Sequence, residues 1–292
     1  MTESVMKYRK FGGSGWDIST VSLALFTETG AAREGRRFIP ERMARALVRG
    51  AELGVNCVDL GVPWLYPDGE RLAGLLKRTI LELPKAVRLN INLPLGRGTA
   101  VQELDRALSA KLGLWGLERA DMCTIRGVDR RSIEMLKSAD IGAWAERALG
   151  SGRIGSLGFA FHDDAHYLEQ LLTLAPWGFT RIKYSLADQR HHPGAGGIEI
   201  AGRYGCAVLA DEPLKSGRLL LPAGEKVEAA WRQAQGGGSR LDCALRWLYN
   251  EPGIASAFFD ASSPERVEEY VSAAASCSPG MLDPLELLWD NK

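Results

Sequence analysis

Eight times along this chain a short, nearly unbroken apolar run is followed by a segment whose apolar residues recur at helical spacing. The runs lie at 21–26 (VSLALF), 56–61 (NCVDLG), 87–94 (VRLNINLP), 120–127 (ADMCTIRG), 156–163 (SLGFAFHD), 180–188 (TRIKYSLAD), 207–214 (AVLADEPL) and 254–261 (IASAFFDA). The first helix starts at Pro40 and Glu41, carries Met43, Ala46, Leu47, Gly50 and Ala51 on one face, and stops at Gly54. The others are predicted at 68–78, 99–113, about 131–150, 165–174, 196–204, 240–250 (with Ser239 as its cap) and 264–275. Strands that are apolar throughout need cover on both faces, which means a parallel sheet with helices packed on it. Eight such units in 292 residues close into a (β/α)8 TIM barrel, an α/β fold. Residues 8–19, YRKF-GGSG-WDIS, precede the first unit and read as a short N-terminal β-hairpin cap. The whole chain, 1–292, is expected to be one domain: the hairpin, a barrel over about 20–276, and a short amphipathic tail at 277–292.

Charge narrows the classes of partner. The 36 basic and 36 acidic residues balance, so nothing pulls the whole molecule toward nucleic acid or an anionic membrane. No apolar run nears the roughly 18–20 residues that span a bilayer, and MTESVMKYRKF has no signal-peptide core. The odd set Cys57, Cys123, Cys206, Cys243 and Cys277 has no CxxC spacing and reads as reduced core thiols of a cytoplasmic protein. A small-molecule partner is expected, with no nucleic acid and no membrane, in a monomer or a homodimer.

In a barrel of this class the chemistry lies at the C-terminal ends of the strands. The polar residues there are Asp59, with Trp64 and Tyr66 in the following loop; Asn92; Arg126; and His162, Asp163 and Asp164. Lys183, Tyr184, Ser185 and Asp188 are placed on the sixth run, Asp211 and Glu212 on the seventh, and Asp260 on the eighth. A carboxylate, an arginine and a lysine at one mouth can move protons or clamp an anion. His162, His166, His191 and His192 invite a metal reading, but their spacing is not that of a closed site, and no metal is expected. Asp163 or Asp164 is more simply a helix cap. Arg33, Arg36 and Arg37 lie in the long first loop, suited to an anion or to solvent. Trp115, Trp144 and Trp247 fit core packing.

From Lys7 to about Ala275 the chain resembles the aldo-keto reductases, through KYRKFGGSGWDISTVSLA, ALVRGAELGVNCVDLG, GRIGSLGFAFHD, EPLKSGRLL and ALRWLYNEPGIASAFFDASSPERVEEY. It looks closest to the bacterial branch related to ferredoxin-tailed members, but without the cysteines of such a tail, so no iron–sulfur cluster is implied. The resemblance implies NAD(P)H-dependent carbonyl reduction through an Asp–Tyr–Lys–His tetrad. Asp59 matches the aspartate, whereas the tyrosine falls on Trp64, the lysine on Asn92 and the histidine on Arg126. Tyr66, two residues on, is the substitute phenol, with Arg126 or Lys183 as its electropositive neighbour. Of the positions that hold the nicotinamide in the family, two fall on Ala160 and Phe161 and one on Lys183. Asp260 replaces a basic residue near the ribose 2′-phosphate, which disfavours NADPH more than NADH, and Tyr270 replaces an asparagine at the adenine end. Lys215, Ser216, Gly217 and Arg218 keep the look of the pyrophosphate loop, and Arg266 that of the adenine end, as cofactor- or anion-binding residues.

Three functions stay open. The first is a repurposed enzyme doing non-redox acid–base chemistry (lyase, dehydratase or isomerase) on a small-molecule substrate, an anion among the candidates. Its catalytic residues would be Asp59, Arg126 and Lys183, lined by Trp64, Asn92, His162 and Tyr184. The second is an NAD(P)H-dependent reductase using Tyr66. The third is a non-catalytic binding protein. The altered tetrad favours the first over the second, and the many ionisable strand ends favour it over the third.

Overall fold

The computed structural model describes residues 6–27, 39–95, 101–188, 193–222, 225, 228–229, 231 and 238–277. Arg33, Arg36, Arg37, His191, His192 and the tail from 278 onward lie outside them.

The eight expected strands form one closed parallel barrel. They are β3 (Val21–Ala24), β4 (Cys57–Asp59), β5 (Arg88–Pro94), β6 (Ala120–Val128), β7 (Ile154–Phe161), β8 (Phe179–Lys183), β9 (Ala207–Asp211) and β10 (Ile254–Asp260). Each pairs with its sequence neighbours, and β10 closes on β3 through Ala257 opposite Val21 and Asp260 opposite Ala24. The helices are α1 (Pro40–Glu52), α2 (Gly69–Glu82), α3 (Val101–Trp115), α4 (Ile133–Ser138), α5 (Ile141–Gly150), α6 (Ala165–Leu172), α7 (Gly194–Arg203), α8 (Arg240–Asn250) and α9 (Pro264–Ser276). The single helix expected over 131–150 is two, because Asp140 takes a left-handed conformation (φ 51°) and caps α5 by accepting from the Ala143 N–H. Ser239 caps α8 as expected, in a reciprocal box with Asp242. Between helices and barrel lies the main apolar layer, with Trp115 and Trp144 fully buried in it.

The N-terminal hairpin pairs β1 (Tyr8–Lys10) with β2 (Asp17–Ser19). Phe11 and Ile18 are fully buried with Cys57, Phe179, Ala207 and Ala255, all at the starts of barrel strands. Phe11 stacks on Trp16 and reaches the Phe179 ring, so the hairpin plugs the N-terminal end of the barrel. That leaves the opposite end open.

Inside, the period of two along each strand sorts side chains into layers. Low in the barrel the Cys57 thiol meets the Met122 sulfur, and the Ser22 and Ser256 hydroxyls bond at 2.7 Å. Above them Thr124 donates to Asn90, and Asn90 donates to Asp59. The polar layer at the C-terminal end is the top of this stack.

Candidate functional site

The strand ends and the loops after them line a cavity whose empty volume, open mouth included, is about 960 Å³. Its polar lining includes Asp59, Arg126, Arg181, Lys183, Asp211 and Glu212, with Phe26, Val62, Leu214 and Phe258 among its apolar walls. Ser216, Gly217, Asp260, Arg266 and Tyr270 line the side toward the loops after β9 and β10.

Asp59 sits at the centre, 3% exposed. Its Oδ1 accepts from Asn92 Nδ2 at 2.6 Å, Asn90 Nδ2 at 2.9 Å and the Gly61 N–H at 3.1 Å. Its Oδ2 accepts from Arg181 at 2.6 Å. Four donors match the roughly four acceptor positions of a carboxylate, so Asp59 is a fully satisfied anchor. Asn92, where the resemblance placed a lysine, touches Asp59 by an amide instead of an ammonium.

Arg181 is the site residue that sequence reading missed. It is buried, and its guanidinium bridges two carboxylates, Asp59 at 2.6 Å and Asp211 at 2.6 Å, while lying 4.1 Å above the Phe258 ring. The signal was present: Arg181 stands two residues before Lys183 and therefore points to the same interior face. Asp211 also meets Arg126 at 3.5 Å. Burial pushes the Asp211 carboxyl up, but Arg181 and Arg126 outweigh it and the net shift is downward. The same two carboxylates outweigh burial for Arg181, whose proton is held more tightly than usual.

Lys183 ends β8 and lines the cavity with an exposed side chain. Among the described residues no carboxylate lies within ion-pair distance of it. Tyr184, Ser185 and Asp188 lie beyond the strand, which is shorter than expected. Tyr184 is buried and stacks on Trp247 at 5.1 Å, so its ring belongs to the core and does not line the cavity.

The loop after β4 differs from expectation too. Tyr66 donates its hydroxyl to the Thr27 carbonyl at 2.6 Å and packs edge-on against Phe26. Trp64 lies beneath the Lys111 ammonium of α3, 4.2 Å from its ring centre. Neither lines the cavity. His162 is exposed past the end of β7, outside the lining but close enough to Asp211 to help hold its charge. Asp163 does not cap α6; it grips Arg130, which with neighbouring N–H groups holds its carboxyl down at about 2. Asp164 takes the cap position without a side-chain bond. His166 bonds to Gln170, and no group of three metal-ligating side chains occurs among the described residues.

After β9, Lys215, Ser216 and Gly217 all have positive φ (49°, 56° and 84°), which turns the chain back over the mouth. Lys215 is paired with Asp188, and Ser216 donates to Glu212 at 2.7 Å. Arg218 is exposed and outside the lining. Arg266 binds Glu269 at 2.7 Å, and Tyr270 donates to Asp260 at 2.9 Å.

Solved structures share this architecture over nearly their whole length. A thermostable aldo-keto reductase in complex with the inhibitor epalrestat matches with a TM-score of 0.76 at 18% identity, covering 97% of this chain and 98% of that one. The chain has the aldo-keto reductase fold. An aldo/keto reductase from Klebsiella pneumoniae in complex with NADP and acetate gives 0.72 at 19% identity, over 99% and 96% of the two chains. The holo form of an aldo-keto reductase from Bacillus halodurans gives 0.72 at 14%, over 94% and 92%. No protein-family model matches the chain, and no curated protein does.

The aldo-keto reductase fold raises the question of a nicotinamide dinucleotide. Three of the residues that the resemblance assigns to this group are engaged by acids, Lys215 by Asp188, Ser216 by Glu212 and Arg266 by Glu269, and Arg218 is exposed outside the cavity lining. Phosphates there would have to displace carboxylates that stay beside them. The cradle as built does not fit the group, and no step is routed through it.

Proposed function

We propose that this chain is a small-molecule enzyme of the aldo-keto reductase superfamily whose tetrad is degenerate. It binds an anionic substrate at the barrel mouth and moves a proton without hydride transfer. The observation that carries the reading is the lattice Asp59–Arg181–Asp211–Arg126, with Lys183 beside it on the cavity wall. Two guanidiniums and an ammonium face two carboxylates there, which suits a carboxylate or enolate oxygen. The four bonds to Asp59 argue against our sequence-based expectation that it moves the proton. That role falls to Lys183 at Nζ, with Arg126 stabilising the charge that develops and Arg181 holding Asp59 and Asp211 in place. Lyase, dehydratase and isomerase reactions all share this step.

The test is solvent deuterium incorporation into small 2-oxo acids, followed by NMR in D2O. Exchange is expected with the intact protein, lost in Lys183→Met and weakened about 10–100-fold in Arg126→Gln. Exchange that survives Lys183→Met overturns the assignment. A second reading, carbonyl reduction with NAD(P)H, is favoured by the solved structure of similar fold that holds NADP. NADPH-dependent turnover of aldehydes that disappears in Tyr66→Phe establishes that reading instead. Five buried cysteines with no disulfide among them support a cytoplasmic setting, and among the described residues no helix is long and apolar enough to cross a membrane.

A further inference from the structure

We infer that Lys183 is a point of covalent attachment, its Nζ condensing with the carbonyl carbon of a small 2-oxo acid to form an imine. The inference rests on the site proposed above and deepens it, because Nζ then acts while bonded to the substrate.

The placement of this lysine carries the inference. Lys183 ends β8 in register with Asp211 of β9, so Asp211 is the acid beside it in the sheet. The Asp211 carboxylate nevertheless turns to Arg181 at 2.6 Å and to Arg126 at 3.5 Å. Asp59 is taken in the same way, by Arg181, Asn90, Asn92 and the Gly61 N–H. Lys183 is thereby left on the cavity wall with no carboxylate within ion-pair distance among the described residues. Elsewhere Lys10, Lys137 and Lys215 each hold an acid, and Lys111 lies over the Trp64 ring. Lys183 is the one amine among the described residues that line the cavity. Its nitrogen is carried on four flexible carbons, so it can reach a molecule seated in a cavity whose walls include Phe26 and Phe258.

The neighbouring groups leave the attack to this nitrogen. A guanidinium has no electron pair to give, the Asp59 and Asp211 oxygens are occupied, and the Ser216 hydroxyl is donated to Glu212 at 2.7 Å. An amine needs only to shed its extra proton, here to water at the open mouth, before it adds to a carbonyl. The N–C bond forms at C2 of the 2-oxo acid, the C–O bond breaks, and the oxygen leaves as water, so no oxidant or reductant is consumed. The iminium nitrogen then draws in the electron pair of the adjacent C3–H bond, and that proton passes to water. The carboxylate of the 2-oxo acid is the anion for which the site is proposed.

The test is incubation with pyruvate and sodium cyanoborohydride, which reduces an iminium to a stable amine, followed by peptide mass mapping. Lys183 is expected to gain the mass of pyruvic acid less one oxygen atom, about tenfold or more faster than any other lysine, because bound substrate is held beside it. The fast labelling is expected to vanish in Lys183→Arg, which keeps the positive charge. Labelling of Lys183 no faster than that of the paired Lys10 and Lys137 overturns the inference, and so does fast labelling that survives in Lys183→Arg. The map is read on the unaltered protein, so the first result stands whether or not the variant folds. Deuterium exchange, run alongside, separates this inference from the reading beneath it. Exchange that needs Lys183 but leaves no adduct keeps the proposed site, with Nζ as a base, and sinks only the imine. An adduct at Lys183 without exchange keeps the attachment and overturns the proton transfer. Absence of both sinks the site and the imine together.

Discussion

One buried guanidinium organises the top of the barrel. Arg181 satisfies Asp59 and Asp211 together, and both carboxylates are almost closed to solvent. Removing one partner from such a cluster leaves uncompensated charge in a low-dielectric interior, which is far more costly than the cluster's own net contribution. Arg181→Met is therefore expected to destabilise the protein by about 3–5 kcal/mol in urea denaturation. The loss should shrink when Asp211→Asn is introduced with it, since one stranded charge has gone. Equal losses in the two backgrounds would show that Arg181 acts by packing on Phe258 and not by charge. At this scale the sequence was half legible. Asp59, Arg126 and Lys183 stand at strand ends and could be read off, and all three line the cavity. Tyr66 and Trp64 stand in the right loop, yet their side chains point to Thr27 and Lys111, because contacts from other elements decide how a loop residue turns.

The strand–loop junctions determine how precisely the charges are held. Gly61 follows β4 with φ 70°, and its N–H donates to Asp59 at 3.1 Å. A Cβ there would stand 2.3 Å from the Phe26 carbonyl oxygen, closer than any real contact. Both the backbone conformation and the space exclude a side chain. Gly61→Ala should cost about 2–4 kcal/mol and weaken ligand binding at the mouth, measured by thermal unfolding and titration of one sample. A stable variant with unchanged binding would mean that the turn relaxes without disturbing Asp59. Element type was legible from periodicity, but element ends were less so. The run 180–188 yields a strand only to Lys183, and the helix expected at 131–150 breaks at Asp140. A strand stops where its neighbours stop pairing, and β9 ends at Asp211 opposite Lys183.

Closure is a property of the whole molecule, since it joins residues more than two hundred apart. Arg9 of the hairpin donates to the Ile254 carbonyl at 2.6 Å and the Glu251 carbonyl at 2.9 Å, and also to the Tyr249 carbonyl. Its guanidinium lies 5.4 Å over the Tyr249 ring. The first strand of the chain is thus tied to the junction between α8 and β10, at the end away from the cavity. Arg9→Ala should lower stability by about 2–4 kcal/mol while leaving affinity at the mouth unchanged. A parallel loss of ligand binding would show that the two ends of the barrel are coupled. The chain's alternation of apolar runs and amphipathic segments was sufficient for the barrel and its hairpin plug, because burial on both faces of a strand leaves few architectures. What only the tertiary structure decided is the company each charge keeps: Asp59 with four donors, Arg181 between two carboxylates, Lys215 with Asp188 and Ser216 with Glu212. Those partners come from strands and loops far apart in the chain, and no local pattern of residues records which of them meet across a closed barrel.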